Sequence, residues 1–291
     1  MEFYQLKSFL TVAREGNLTK AAVLLHLSQS ALSNQVKSLE SEIGTDLFHR
    51  MPRGMELSFA GRKLLSHAET AVRAIEDFGT AACGLGDNLS GKLSVGLNTD
   101  PSFLRIADLD SRMGAQLPLV NLEFLPSQTL ATTSLLNGGV LDVGFRFGKS
   151  GDSGICEEWI VDSRLCIVIP SRIAKDVSKL DWPKVADLPW IWTSCECPFH
   201  QAVLRRMDKY GIRPNSVADA LDELIVRELV AAGKGVSVMR ADMAEELAKK
   251  GQAEIWDDSL TTPLCLAYHE KNADNPLIAE FISVVRNVWN F

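Results

Sequence analysis

The stretch Leu27-Ser-Gln-Ser-Ala-Leu-Ser-Asn-Gln-Val36 decides how the chain is read. Ser28 stands where a helix cap belongs, because its hydroxyl can accept from backbone amides left free in the first turn. Leu32, Val36, Leu39 and Ile43 then recur at helical spacing, and Gly44 closes the helix. Gln29, Ser30, Ser33, Asn34 and Lys37 occupy the opposite face. Upstream, Leu6, Phe9, Leu10 and Ala13 mark a first helix over about residues 3–14, ended by Gly16-Asn17. Thr19 reads as the cap of a short second helix, Lys20–His26. Two helices joined by a tight turn, the second carrying small polar and amide side chains, fit the major groove of B-DNA. Gln and Asn can read adenine edges, Ser can donate to base or phosphate, and Lys supplies phosphate charge. Any small helical domain also turns a polar face to water, so the face alone does not decide.

The next segment adds charge. Leu47 and Phe48 are apolar anchors, and His49, Arg50 and Arg53 surround the turn-rich Met51-Pro-Arg-Gly54, which reads as a β-wing. Arg62 and Lys63 follow, and between Leu47 and Lys63 the only acid is Glu56. Such a basic strip is what phosphate contact requires. From Ser58, a second cap, a long helix begins. Its Gly61, Leu64, Ala68, Ala71, Ile75, Phe78 and Ala82 are spaced by alternating threes and fours. That a/d seam calls for a partner helix, so Leu64, Ala68, Ala71, Ile75 and Phe78 are expected to pair two subunits. Burial against the helix's own domain would usually show a wider stripe.

These residues carry a family resemblance. Asn17-Leu-Thr-Lys-Ala-Ala22, Leu27–Val36, Leu39-Glu40, Ile43-Gly44, Leu47-Phe-His-Arg50 and Leu57-Ser-Phe-Ala-Gly61 resemble the N-terminal domain of LysR-type bacterial transcription regulators almost without gaps over about sixty residues. Ser58 replaces the usual Thr. The resemblance implies an α plus α/β architecture: a winged helix-turn-helix, a linker helix that pairs subunits, and an effector domain of two α/β subdomains similar to periplasmic solute-binding proteins. The expected division is 1–58 for DNA binding, 59–83 for the linker helix, 84–91 for a glycine-rich hinge and 92–291 for the effector domain. Subdomain I would take about 92–163 and 264–291, and subdomain II about 164–263.

Beyond the hinge, strands and helices alternate, which implies parallel sheets. Strands are expected at 93–97, 120–125, 141–147, 165–169, 190–193 and 236–239. Helices are expected from Asp100-Pro101 to about 115, and over 127–137, 198–210, 221–232, 241–249 and 276–289. Phe103-Leu-Arg105 departs from the family's usual Leu-Leu-Pro. Ligands of doubly wound sheets sit beyond the carboxyl ends of strands. That rule nominates Asn98, Thr99, Asp100 and Ser102; Ser127, Gln128 and Thr129; Arg146 and Phe147; and Thr193, Ser194 and Cys195. Arg146 suits a carboxylate, which points to a polar or anionic effector, unless an internal ion pair occupies it.

Cys195-Glu-Cys-Pro-Phe-His200 gathers two thiols and an imidazole. Three readings stand: small residues at a corner, a thiol sensor, or soft ligands for zinc or copper short of a fourth. The latter two would make the protein redox- or metal-responsive. No cofactor or resident metal is otherwise implied. The chain has no G-x-S-x-G, P-loop or H-E-x-x-H motif, so an enzyme is not expected.

Composition is consistent with this reading. The 291 residues, 46% apolar and 23% charged, are ordinary globular chemistry. The net charge of −7 argues against a nucleic-acid coat, yet residues 1–83 hold nine basic and nine acidic side chains, so the excess acid lies wholly beyond them. No leader-like or membrane-length apolar run occurs, so a cytoplasmic protein with six free thiols is expected. The partners expected are promoter DNA, a small effector, RNA polymerase and further copies of the chain in a homodimer or homotetramer. A solute-binding protein with an N-terminal assembly helix set is the alternative from another class.

Overall fold

The computed structural model describes residues 1–51, 54–83, 89–173, 176–194, 196–220 and 222–291. The N-terminal part is built from α1 (Phe3–Glu15), α2 (Leu18–Leu24), α3 (Gln29–Ile43), the antiparallel pair β1 (Phe48–Met51) and β2 (Gly54–Leu57), and the long α4 (Phe59–Cys83). Leu6, Phe9 and Val12 of α1 meet Leu32, Val36 and Leu39 of α3 in one core with Leu47 and Phe48. The apolar stripe of each helix thus turns inward, and the polar stripe of α3 is left outside. Ser28 caps α3 as expected, accepting from Ala31 N at 3.1 Å. The cap of α2 is Asn17, not Thr19. Its Oδ1 accepts from Thr19 N at 2.9 Å and Lys20 N at 3.1 Å, which puts Thr19 inside the helix.

Met55 N donates to Gly16 O at 2.7 Å, docking the wing on the end of α1. Gly54 sits there at φ +147, and a Cβ on it would lie 2.2 Å from that same carbonyl oxygen. Ser58 Oγ accepts from Gly61 N at 2.9 Å and opens α4. The seam of α4 divides. Ala68 and its neighbour Val72 are buried in the winged-helix core, and Leu64 and Ala71 pack partly against it. Ile75 and Phe78 stay 46% and 75% exposed. The first half of the seam is therefore satisfied within its own domain. The side chain of Ala82, and residues 84–88 of the expected hinge, lie outside what the structure describes.

The second part is a six-stranded mixed sheet in the order β4-β3-β5-β10-β6-β9, made from β3 (Gly91–Leu97), β4 (Val120–Pro126), β5 (Val143–Phe147), β6 (Ile155–Pro170), β9 (Ser237–Arg240) and β10 (Ala253–His269). Only β3–β4 and β3–β5 are parallel, and the other neighbours are antiparallel. The alternation of elements overstates the parallel content, because the long β6 and β10 form one antiparallel ladder. β7 (Pro189–Trp192) and β8 (Asn215–Asp219) form a small parallel sheet, tied to the large one by a bridge between Trp190 and Val236.

Helices α5 (Ile106–Gln116), α6 (Thr129–Asn137), α7 (Trp182–Asp187), α8 (Pro198–Asp208), α9 (Glu223–Ala231), α10 (Ala241–Lys249) and α11 (Pro276–Trp289) cover the faces. α5 begins well after Asp100-Pro101. Residues 101–105 are turns, and Arg105 precedes the helix at φ +56. Arg105 Nη1 donates to Val288 O at 2.7 Å, and its guanidinium lies 4.4 Å from the Trp289 ring centroid. The departure from the family pattern at this residue thus anchors α11. α4 reaches the second part through Arg73, which pairs with Asp142, and Asp142 also accepts from Ser94 N at 2.7 Å. Among the described residues no helix is long and apolar enough to cross a membrane.

Gly61 is packed so that a Cβ would lie 2.2 Å from Leu47 O. Gly61→Ala is expected to lower stability by about 1–3 kcal/mol in urea unfolding of the full chain. A variant as stable as the parent would show that the Leu47 segment yields freely.

Candidate functional site

Two surfaces carry polar groups that the fold does not consume. The first is the outer face of α3. Gln29, Ser30, Asn34 and Lys37 are exposed and Ser33 is half-buried. Ser28 and Thr19 border it, both exposed, and Arg50 on β1 is exposed as well. Arg53 lies outside the described residues. The face is held from behind: Ser8 Oγ donates to Gln35 Oε1 at 2.5 Å and Gln5 Nε2 donates to Ser38 Oγ at 3.0 Å, two successive rungs that bind α1 to α3.

The second is a cavity of about 600 Å³ between the two lobes of the second part. From one lobe come Asn98, Thr99 and Asp100 after β3, Ser127, Gln128 and Thr129 at the start of α6, and Phe147 at the end of β5. From the other come Thr193 and Ser194 after β7, Cys197, Phe199 and His200 at the start of α8, and Asp222 and Glu223 at the start of α9. Nine of the residues expected from the strand-end rule thus converge on one cavity. Phe147 and Phe199 meet inside it at 4.8 Å between ring centroids.

Two of the expected residues fall away from it. Arg146 neighbours Phe147 on β5, so its side chain leaves the opposite face of the sheet. There its Nη1 donates to Glu157 Oε1 at 2.7 Å, with both side chains largely buried. Ser102 is exposed on a turn, and its amide donates to Asp100 Oδ1 at 2.7 Å. The helix start expected there, with free amides for a ligand, is displaced to Ile106. Cys195 lies outside the described residues.

His200, Asp222 and Glu223 belong to the cavity although the strand-end rule did not nominate them. His200 is 2% exposed. Its Nδ1 is bonded to Thr193 Oγ1 at 2.5 Å, and its ring stands edge-on to Trp192 at 3.8 Å. Burial pushes its pKa down to about 3, the Ile191 carbonyl pulling weakly the other way, so the imidazole is neutral near neutral pH. Asp222 caps α9, accepting from Leu224 N at 2.8 Å. Glu223 crosses the cleft: its Oε2 accepts from Thr99 Oγ1 at 2.6 Å and from Arg240 Nη1 at 2.8 Å. Burial raises the Glu223 pKa, opposed by Arg240 and the Thr99 hydroxyl. Arg240 is 1% exposed, holds both Asp242 oxygens at 3.0 Å, and stacks 4.1 Å from the Phe103 ring centroid. Extending the strand-end rule to the first turn of the following helix would have found His200. Asp222 and Glu223 follow β8, whose polar Asn215-Ser-Val-Ala-Asp219 shows no strand pattern in the sequence.

Cys197 precedes α8, half-buried, with a free thiol. Among the described residues no three His, Cys, Asp or Glu side chains converge as metal ligands would.

A winged helix-turn-helix followed by a linking helix and a two-lobed cleft domain defines a DNA-binding regulator with an effector-binding domain. Residues 3–62 match the model of the bacterial regulatory helix-turn-helix protein, lysR family, and residues 86–290 match the LysR substrate binding domain. The chain belongs to the LysR family of transcriptional regulators, not to a family of enzymes. Among its relatives, the HTH-type transcriptional regulator ShiR of Corynebacterium glutamicum is 30% identical over 82% of this chain and 82% of its own. The nitrogen assimilation regulatory protein nac of Klebsiella aerogenes is 29% identical over 90% of this chain and 85% of its own. Full-length CbnR complexed with its target DNA shares the fold, with a TM-score of 0.71 and 22% identity over 99% of both chains.

The folded pKa of His200 lies below its ordinary 6.5, so its stabilising contribution is present above pH 6.5 and is lost as pH falls toward 3. Between pH 7.5 and pH 5 the parent should lose about 2 kcal/mol that His200→Gln does not. Urea unfolding at both pH values reads this, and equal losses in the two proteins would refute it.

Proposed function

We propose that the chain binds a specific operator through α3 and that occupancy of the interlobe cavity by a small molecule adjusts that binding. The observation that carries the reading is the exposed face of α3, whose Gln29, Ser30, Ser33, Asn34 and Lys37 stand on a helix fixed by its cap and its core. Gln29 and Asn34 suit base edges, the serines suit base or phosphate, and Lys37, Arg50 and Arg53 suit phosphate. Ser28 and Thr19 flank the groove-facing surface. Ile75 and Phe78, exposed on the far half of α4, support pairing of two copies, and pairs of pairs would make a tetramer. A dimer would set two α3 helices against successive major-groove faces of a promoter, next to RNA polymerase.

The cavity supports an effector with an apolar body that rests on Phe147 and Phe199 and a polar group that meets the hydroxyl- and amide-lined rim. Arg146 no longer recommends an anionic effector, because Glu157 already neutralises it. The cavity is accordingly read as an effector site of apolar and uncharged polar character.

Operators selected from random duplexes by the full-length protein give the test. Gln29→Ala is expected to weaken the selected site by about 1–3 kcal/mol and to relax preference at one base step. Arg50→Ala should weaken all sequences alike and reduce the log–log salt slope by about one. Fluorescence anisotropy at several salt concentrations measures both, and unchanged site preference in Gln29→Ala would remove α3 from the role given to it.

A further inference from the structure

Two residues that line the cavity, one on each lobe, each carry a buried polar side-chain atom without a partner in hydrogen-bonding geometry. Asn98 Nδ2 donates to Thr129 Oγ1 at 3.2 Å, while its buried Oδ1 has no hydrogen-bond partner. His200 Nδ1 is taken by Thr193, while its buried Nε2 has no partner in hydrogen-bonding geometry. Buried polar atoms are almost always satisfied, so two unsatisfied ones on residues that line the same cavity point to a ligand that satisfies them. Asn98 Oδ1 is an acceptor and requires an N–H or O–H from that ligand.

The charge of the wall narrows the class. Asp100, Asp222 and Glu223 line the cavity, and no Lys or Arg is among its described lining residues. Arg240 stands behind Glu223 and is already engaged by Asp242, Glu223 and Thr99. A carboxylate would enter a site of its own sign with no free cation to meet it.

We infer that the effector is an uncharged molecule, an aromatic or branched apolar body bearing an amide-like or hydroxyl donor, which bridges the lobes between Asn98 Oδ1 and His200 Nε2. The inference rests on the reading of the cavity as the effector site. The bridge joins the segment after β3 to the first turn of α8, so the two lobes share one ligand. Its apolar body lies against Phe147 and Phe199.

Benzamide and benzoate test this directly, since they differ in charge and donors but hardly in shape. The full-length protein is titrated with each by ligand-observed NMR, with thermal melting in parallel. Benzamide should bind at least tenfold more tightly than benzoate and raise the melting temperature. Asn98→Ala and His200→Gln should each weaken benzamide at least fivefold. His200→Phe, which keeps a ring but no polar atom, is a second variant at the buried position. Equal or tighter binding of benzoate overturns the inference. So does no binding of benzamide at 10 mM (on the order of the weakest fragment affinities), or benzamide binding that the variants leave unchanged. Operator binding is measured on the same samples. Its absence, with the ligand result intact, counts against the regulator reading and not against this one.

Discussion

The antiparallel pairing of β6 with β10 is the constraint on which the second part depends. Its ladder runs from Ile155 opposite His269 to Pro170 opposite Ala253, with shifts in register between Trp256 and Leu260 and between Leu264 and Cys265. β5 joins one end of β10 and β9 joins the far end of β6, so both lobes grow from the same two strands. The lobes are therefore not free bodies on a tether. Their facing loops are fixed across a gap, and the gap is the cavity. The interruptions in register are where such a ladder bends most easily: one falls where β6 also carries β9, and the other where β10 also carries β5.

The acidic charge of this part acquires a spatial meaning. Its buried cations are consumed internally: Arg146 by Glu157, and Arg240 by Asp242 and Glu223. A guanidinium inside a protein must find such partners, because an unpaired buried charge costs far more than an exposed one. Asp100 and Asp222, left on the cavity wall, then face no Lys or Arg among its described lining residues. Sequence spacing finds an Arg beside a strand end but cannot see which face it leaves by or which Glu folds over it.

What the sequence reveals follows the range of the interactions. Local signals read well: Ser28 and Ser58 as caps, the stripes of α1 and α3, and α10 and α11 over 241–249 and 276–289, where amphipathic periodicity is strong. Misreadings arise where a distant partner decides. Asn17 displaces Thr19 as a cap because its side chain reaches two amides. Arg105 delays α5 because α11 claims its guanidinium. β8 is mostly exposed and polar, and it is a strand only because β7 lies beside it. The strand-end rule located most of the cavity because it describes topology, and it missed Asp222 and Glu223 because β8, the strand before them, was invisible.

The two functional surfaces are joined by short, stiff routes. Asp142, at the foot of β5, holds Arg73 of the linker helix, and Phe147, at the head of β5, lines the cavity. The intervening strand is five residues, about 17 Å of extended backbone at ~3.3 Å per residue, and all five are buried. Buried strands move as units because close-packed neighbours leave no room for local flexing. Asp142 is also bonded to Ser94 on β3, and β3 ends beside Asn98 and Thr99 on the same cavity. Two adjacent strands thus run from the Arg73 contact to the cavity wall. The head of β5 on the cavity wall and its foot at the Arg73 contact of the linker helix are thus the two ends of one buried strand.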